Sequence, residues 1–235
     1  MKAIIKKELR LYFSTPIGFV FISVFVCVSA LLFTVYNLIN ANASISVIFS
    51  YLPVVFVIMI PILTMRLMSE ERSLKTDQLL LTAPISVTAI ICGKLFAALA
   101  VFSISIVAMI MYPVILSLYA GIEWGVVVSN YVGFFLMGAA FISIGIFVSS
   151  LTENQLVSAI ISIAVLFLTF IISYAIDPTG IKIIDILINA FSVPGHFDTF
   201  FIGLIDIAEV VYYLSIVVIF TILTVMRTER RRISK

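Results

Sequence analysis

A long stretch without charge is the feature that most constrains this chain. No Asp, Glu, Lys or Arg occurs from Leu11 to Met65. Because about 18 or more consecutive uncharged and largely apolar residues already indicate a membrane span, this stretch predicts more than one. A second region, from Leu95 to Ile181, contains no Lys or Arg, and 63% of all residues are hydrophobic. The sequence therefore predicts a polytopic membrane protein.

The pattern within these apolar runs favours helices over strands. Backbone amides in lipid must be paired within the chain, and the strands of a barrel alternate apolar and polar residues. The runs here are continuous, and about 20 residues cross a hydrocarbon core about 30 Å thick. We therefore predict an all-α fold. Its six predicted spans are Pro16–Ile39, Val47–Met68, Leu95–Leu118, Gly125–Val148, Leu156–Ile176 and Ile207–Met226.

The basic residues predict the orientation of the chain. Of the 14 Lys and Arg residues, all except Lys182 precede the first span, lie in or beside the connection of spans two and three, or follow the sixth. Six spans place those three segments on one side, and the positive-inside tendency makes that side cytoplasmic. We therefore expect both termini to lie in the cytoplasm. The basic residues are interpreted as topology signals and membrane-lipid contacts, with no nucleic-acid partner.

Two segments outside the spans have amphipathic patterns. In residues 1–14, Lys2, Lys6 and Arg10 recur every four positions, and apolar residues gather on the other side, which predicts an interfacial helix. The segment 177–206 carries a similar run that is too short to cross a bilayer. It predicts an interfacial or re-entrant helix on the outer side.

The segment 69–87 is the only predicted cytoplasmic connection with room for structure. Ser69 is suited to cap a short helix, and Glu70 and Glu71 suit the positive N-terminal end of that helix. Glu71 and Lys75 have the spacing of a favourable i,i+4 pair. We therefore predict a short helix that begins after Ser69.

The residues that carry catalytic chemistry are scarce. The chain has one histidine, His196, so one copy cannot form a multi-histidine metal site. Gly93-Lys94 lacks the upstream Gly and the following Ser or Thr of a Walker A loop. We expect no catalytic residue, no bound metal and no cofactor on this chain, which should not hydrolyse ATP by itself.

Span five carries a stripe of hydroxyl groups. Ser158, Ser162, Thr169 and Ser173 fall within a sector of roughly 60° when each residue turns a helix by about 100°. Such a stripe suits a helix that faces a polar cavity or pathway, or a partner helix at a dimer face. Equally, each hydroxyl can bond a preceding carbonyl of its own helix.

The connection after span two carries the strongest local pattern. It holds, in order, Arg66, Ser69-Glu70-Glu71-Arg72, Thr76, Leu79-Leu80-Leu81, Ala83-Pro84 and Gly93-Lys94. This order resembles the permease subunits of ABC-2 type transporters, most closely the gliding-motility-associated and nitrous-oxide-reductase-maturation branch. The likeness continues through residues 145–155 and the outer segment ending at Asp206. The family usually has Gly where this chain has Lys75.

The resemblance implies a single ABC-2 transmembrane domain over 1–235, with 1–14 as elbow helix and 69–84 as coupling helix. ATP and magnesium would bind to a separate ABC ATPase subunit, and a second permease copy or a related permease would complete a dimer. The residues it assigns to ATPase coupling are Glu70, Glu71, Arg72, Thr76, Leu79, Leu80 and Pro84.

The function expected from this resemblance is export driven by the partner ATPase. Charged residues are nearly absent from the predicted spans, which favours an uncharged, lipid-like or amphipathic substrate. A non-transporting mechanical or scaffold subunit of an envelope complex is one alternative. A secondary transporter is another, although such proteins commonly carry intramembrane carboxylates.

Overall fold

The computed structural model describes residues 1–76, 85–119, 121–175 and 182–233, and these ranges contain helices and connecting turns but no strand. Six helical segments are long and apolar enough to cross a membrane, which confirms the predicted number. They are Pro16–Ile39, Ser46–Ser73, Val87–Tyr119, Trp124–Leu151, Gln155–Tyr174 and Ile207–Arg231.

The helices are numbered in chain order. α1 is Lys2–Ser14, and α2 is Pro16–Phe33, which continues as a π-helix over Thr34–Ile39. The second span is α3, Ser46–Thr64, followed by α4, Arg66–Ser73. The third is α5, Val87–Met109, with α6, Met111–Tyr119. Then come α7, Trp124–Leu151, α8, Gln155–Ala175, α9, Lys182–Phe191, α10, Asp198–Phe201, and α11, Ile207–Ile233.

α7 is the most buried of the spans and packs against α3, α5, α8 and α11. Its small residues permit this close packing, as expected for helices in lipid. A side chain at Gly138 would collide with Phe102 of α5, and one at Gly145 would collide with Thr64 of α3. Span four is therefore the central helix of the bundle.

Aromatic rings from four helices fill the core beside α7. Phe25, Phe56, Phe102 and Phe134 come from α2, α3, α5 and α7, and each ring is fully buried. The Phe56 centroid lies 4.4 Å from that of Phe134 and 5.4 Å from that of Phe102. Ring pairs at such distances stabilise the packing of helices that contain few polar groups.

The second and third spans differ from the sequence-based boundaries. Helical structure does not begin anew after Ser69, because α4 starts at Arg66 and Ser69 donates a hydrogen bond to the carbonyl of Met65. The prediction that Ser69 caps a helix was therefore wrong. The third span begins at Val87 and not at Leu95, since the Ser86 hydroxyl accepts from the amide of Ala89, 3.3 Å away. Lys94 consequently lies inside a helix.

One end of the bundle gathers α1, α4, the α7–α8 turn and the C-terminal part of α11, and we call it the basic end. Lys7 reaches Glu71, Arg72 donates to the carbonyl of Thr152, and Arg231 lies 3.8 Å from Glu153. The two terminal helices therefore lie at the same end of the molecule, as a six-span chain requires.

Candidate functional site

The basic end contains a site between α1, α4 and α5. α1 packs along α5 and approaches it most closely at Gly93, where an added Cβ would lie 2.9 Å from Cγ2 of Ile4. Tyr12 anchors the other end of α1, because its hydroxyl donates to the carbonyl of Leu63, 2.8 Å away. Burial raises the pKa of Tyr12, as does Glu8, against a smaller opposing effect of Arg66. This hydroxyl therefore stays protonated and remains a donor.

Lys94 lies at the centre of the site. Its side chain is 1% exposed, and its Nζ lies 2.8 Å from Oε2 of Glu71 and 3.1 Å from Oε1 of Glu8. A third bond, of 2.6 Å, goes to the carbonyl of Leu67. An ammonium group has three donors, and these three acceptors use all of them.

Lys7 completes a ring of alternating charges with Glu71, Lys94 and Glu8, which we call the charge ring. Its Nζ lies 2.7 Å from Oε1 of Glu71 and 3.5 Å from Oε1 of Glu8. Burial lowers the pKa of Lys7, but the bonds and charges of Glu71 and Glu8 outweigh it, and the net shift is upward. Lys7 is therefore an ammonium at neutral pH. The ring pairs two cations with two carboxylates, so each charge faces two of opposite sign, and three of the four are largely buried.

A second ion pair fixes the beginning of α4. Arg66 Nε lies 2.7 Å from Oε2 of Glu70, and a second guanidinium nitrogen lies 3.2 Å from Oε1 of the same carboxylate. Such bidentate pairing restrains both position and orientation. Arg66 also donates to the hydroxyl of Thr15, 3.0 Å away, at the junction of α1 and α2.

The other side of α4 is held by α7. The Ser149 hydroxyl accepts from the amides of Met68 and Ser69, both at 3.2 Å, and donates to the carbonyl of Met65 at 2.8 Å. Met65 is the turn between α3 and α4. One hydroxyl therefore satisfies backbone groups at the helix break, where they are otherwise costly to bury. α4 is bonded to α1, α5 and α7 together.

A cavity of about 210 Å³ lies among these side chains. It reaches from Lys7 and Glu8 on α1 to Leu74 and Thr76, which follow α4. The charge ring therefore borders the point where the chain enters residues 77–84.

The predicted coupling residues have different positions. Glu71 belongs to the charge ring and is 14% exposed, whereas Glu70 is 30% exposed and pairs with Arg66. The Arg72 side chain bonds the end of α7. Thr76 bonds the carbonyl of Glu71 through its amide at 2.9 Å and its hydroxyl at 3.3 Å. Leu79, Leu80 and Pro84 lie outside the described residues.

The expected pairing of Glu71 with Lys75 was wrong. Glu71 pairs with Lys7 and Lys94, which come from elements distant in sequence. Lys75 has a φ of +56°, in the left-handed region that favours glycine. The glycine that the resemblance led us to expect at this position would adopt this conformation without steric cost.

Sequence reasoning missed Lys7, Glu8 and Lys94 as members of the site. Lys7 and Lys94 had been interpreted as topology signals, and Glu8 had been assigned no role. The available signal was an acidic residue inside a basic helix, together with a lysine that follows a glycine in an apolar run. A charge at such positions needs a partner, and only the packing of α1 on α5 identifies it.

The hydroxyl stripe of span five faces the interior of the chain. Ser158, Ser162 and Thr169 are buried, and α8 packs against α3 and α7. Thr169 donates to the carbonyl of Leu166, and Ser173 donates to that of Thr169, as the own-helix alternative anticipated. Its role at a transport pathway or at the face of a permease dimer stays a prediction.

The opposite end of the bundle carries a different polar site. Helices α9 and α10 lie between spans five and six, where the sequence predicted a helical outer segment. His196 Nδ1 lies 2.5 Å from Oε2 of Glu209, its Nε2 lies 3.0 Å from the carbonyl of Asn189, and its ring stacks on Tyr212 at 3.7 Å. Within the described part of the chain, no group of three metal-ligating side chains could hold an ion.

Comparison with known proteins identifies the family. A model of the ABC-2 family transporter proteins matches residues 33–224, which is most of the chain. No curated protein matches the sequence. The match begins within the first span and ends within the sixth, so it covers α3 to α10 together with the centre of the bundle. The chain therefore belongs to the ABC-2 family of transporter proteins.

Proposed function

We propose that this chain is the membrane permease subunit of an ATP-driven ABC-2 exporter, related to the gliding-motility and nitrous-oxide-reductase-maturation branch. Family membership implies association with an ABC ATPase subunit. Hydrolysis would take place on that partner, which binds ATP and magnesium. Two permease copies, or this chain with a related permease, would enclose the pathway in the bacterial inner membrane.

The observation that carries this proposal is the attachment of α4. It contains the first residues of the proposed coupling segment, 69–84, and is bonded by polar contacts to α1, α5 and α7. A load applied to residues 74–76 would therefore act on three helices and would not be absorbed by a mobile loop. Rigid connections of this kind let a small displacement move packed helices as bodies.

The orientation that this mechanism needs places the basic end in the cytoplasm. The cationic α1 and the Arg-rich end of α11 lie together at that end, in agreement with the positive-inside tendency. The scarcity of charge in the described spans favours an uncharged, lipid-like or amphipathic substrate.

A labelling experiment tests the orientation. In a background with Cys27→Ala and Cys92→Ala, Lys2→Cys and Arg230→Cys should resist an impermeant thiol reagent in intact cells. Asn42→Cys, exposed between α2 and α3, should react. Labelling of position 2 or 230 from outside would contradict the proposed orientation.

Copurification tests the coupling role. The tagged chain, solubilised from its native membrane, should retain a Walker A-containing ATPase. With Glu71→Gln, the complex should still form while ATP turnover no longer depends on substrate. Glu229→Gln is the matched control, since Glu229 is exposed at the basic end on α11. If coupling is unchanged in the Glu71 variant and the control behaves as wild type, the ATPase acts on the chain through a part other than α4.

A further inference from the structure

The exposed face of α1 carries a groove that shares Lys7 with the charge ring. Two rows of side chains at four-residue spacing form its walls, as neighbouring ridges do on any helix. The groove has a volume of about 410 Å³, and its lining residues are Ala3, Lys6, Lys7, Arg10, Leu11 and Ser14. All six residues are exposed, so the groove is open to an external ligand. We call it the α1 groove.

The charge of the α1 groove favours an anion. Three of its lining side chains are cations, Lys6, Lys7 and Arg10. The acidic residue of α1, Glu8, is buried in the charge ring on the other side of the helix. No carboxylate lines the groove among the residues that the structure describes. Clustered Lys and Arg on an amphipathic helix attract anionic lipid, each contributing comparably.

The surroundings of the α1 groove favour an amphiphilic ligand over a soluble one. Leu11 lies at one end of it, and α2 begins immediately after α1. The first turns of α2 expose Phe19 and Val20, which are 56% and 49% accessible. A ligand with a phosphate in the groove can therefore place an acyl chain against the apolar face of the first span.

We propose that the α1 groove binds the phosphate head group of an anionic phospholipid, with its acyl chains lying along α2. Lys6 and Arg10, one helical turn apart, contact the phosphate oxygens from one wall. Lys7 contacts them from the other wall, and Leu11 and Phe19 receive the beginning of the acyl chain.

Lys7 connects this lipid site to the charge ring. Its ammonium lines the groove and also lies 2.7 Å from Oε1 of Glu71. A phosphate in the groove therefore competes with Glu71 for the same cation. Through this competition, anionic lipid would alter the attachment of α4 and hence coupling to the ATPase. This consequence rests on the proposed function. Lipid binding itself does not depend on the proposed function.

Native mass spectrometry of the detergent-solubilised chain tests the binding step. Titration with phosphatidylglycerol should give more bound lipid than titration with phosphatidylcholine of the same acyl chains. The double variant Lys6→Gln/Arg10→Gln should weaken phosphatidylglycerol binding about 30-fold, as expected for the loss of two interfacial cations. The variant leaves the Lys7–Glu71 contact in place.

A matched double variant controls for general charge. Lys2→Gln/Arg230→Gln removes two exposed cations from the same end of the molecule but outside the groove. It should retain wild-type selectivity for phosphatidylglycerol. Equal losses in both variants, or none in either, would overturn the groove as the site. The single variant Lys6→Glu provides an independent test if the double variant unfolds.

Two further outcomes identify other ligands. Displacement of the bound lipid by millimolar inorganic phosphate would mean that free phosphate occupies the groove, and the lipid assignment would be wrong. Loss of the copurifying ATPase with unchanged lipid binding in Lys6→Gln/Arg10→Gln would assign the groove to an acidic protein surface. Failure of coupling in the Glu71 variant leaves the lipid result unaffected, so the two proposals fail separately.

Discussion

The two ends of the bundle use buried polar groups in opposite ways. At the basic end, the Lys7–Glu71 and Lys94–Glu8 contacts join residues 64 and 86 positions apart. At the opposite end, the contacts of His196 with Asn189 and Glu209 span 7 and 13 positions. The first arrangement connects separate spans, while the second closes one continuous segment upon itself.

This difference predicts different mechanical properties. Moving α4 requires movement of α1, α5 and α7, because the charge ring and Ser149 bond it to all three. Residues 189–201 are attached to the bundle by neutral hydrogen bonds as well as by Glu209, and the hydroxyl of Ser46 donates one of these to the carbonyl of Phe201. We therefore expect this segment to open locally more readily than α4. The following variants test this contrast in order of expected effect.

The largest effect is expected for Lys94→Met. It leaves the buried carboxylates of Glu8 and Glu71 to share the partly exposed Lys7 in place of two cations. Breaking a buried pair in this way costs about 3–5 kcal/mol. Unfolding of the purified protein in lipid nanodiscs should show this loss. Hydrogen exchange should rise in α1, α4 and α5 but not in residues 189–201. A loss of stability below about 1 kcal/mol would mean that the ring is open to water.

The second contrast is between neighbouring glutamates. Glu71→Gln removes the charge that joins Lys7 and Lys94, and a loss of about 1.5–3 kcal/mol is expected for hydrogen bonds to charged groups. Glu70→Gln affects a more exposed i,i+4 pair, for which about 0.3–0.5 kcal/mol is typical. The two unfolding free energies should differ accordingly. Equal values would contradict the different environments of the two carboxylates.

An intermediate effect is expected for Glu209→Gln. The variant removes a partly buried carboxylate from His196 and should cost about 1–2 kcal/mol. Increased hydrogen exchange should be confined to residues 189–201, with α1 and α4 protected as in the wild type. Spread of the exchange to α4 would show that the two ends are not independent.

A smaller effect is expected at two residues in the left-handed conformation, Lys75 and Ala41, which lie at opposite ends of the bundle. Lys75→Gly should stabilise the turn after α4 by up to about 1 kcal/mol, because glycine adopts positive φ without steric cost. Ala41→Gly, at a φ of +50°, is the matched substitution between α2 and α3. Both gains should appear as higher midpoints of thermal unfolding. Destabilisation by Lys75→Gly alone would indicate that the lysine side chain has a structural role.

The smallest effect concerns the pH dependence of stability at the end of the bundle opposite the basic end. Burial and the charge of Glu209 raise the pKa of Asp198, and His196 opposes them. The native state therefore binds this proton more readily than the unfolded chain, so stability falls as pH rises from 3.8 through the raised pKa. Asp198 is exposed, which keeps the effect small. Asp198→Asn should flatten the dependence of the melting midpoint on pH over this range. If the pH profile is unchanged in this variant, other groups cause the dependence.

The fold was largely predictable because hydrophobicity is a property of continuous segments. The charge-free stretch and its length required membrane helices. Boundaries near charged residues were less predictable. Lys94 was expected to flank a span, because an isolated lysine is costly in lipid. Its partners, Glu8 and Glu71, come from other parts of the chain and remove much of that cost.

The candidate site was only partly predictable for the same reason. Glu70, Glu71 and Arg72 were selected from a family pattern, which does not distinguish a carboxylate in water from one inside a charge ring. Glu71 has two cations within 3 Å, and Glu70 pairs with Arg66. The stripe from Ser158 to Ser173 was a correct description of one helix face. Which neighbours that face meets depends on the packing of α8 against α3 and α7.

The sequence by itself determined that the chain crosses a membrane, how many helices do so, and that both terminal segments lie on one side. These properties follow from local composition and from the number of crossings. The tertiary structure decided that a short basic helix folds back onto the start of the third span, where Gly93 leaves room for Ile4 and Lys94 meets two carboxylates. Charges in a low-dielectric environment are stable only with a partner, and that partner is chosen by packing in three dimensions.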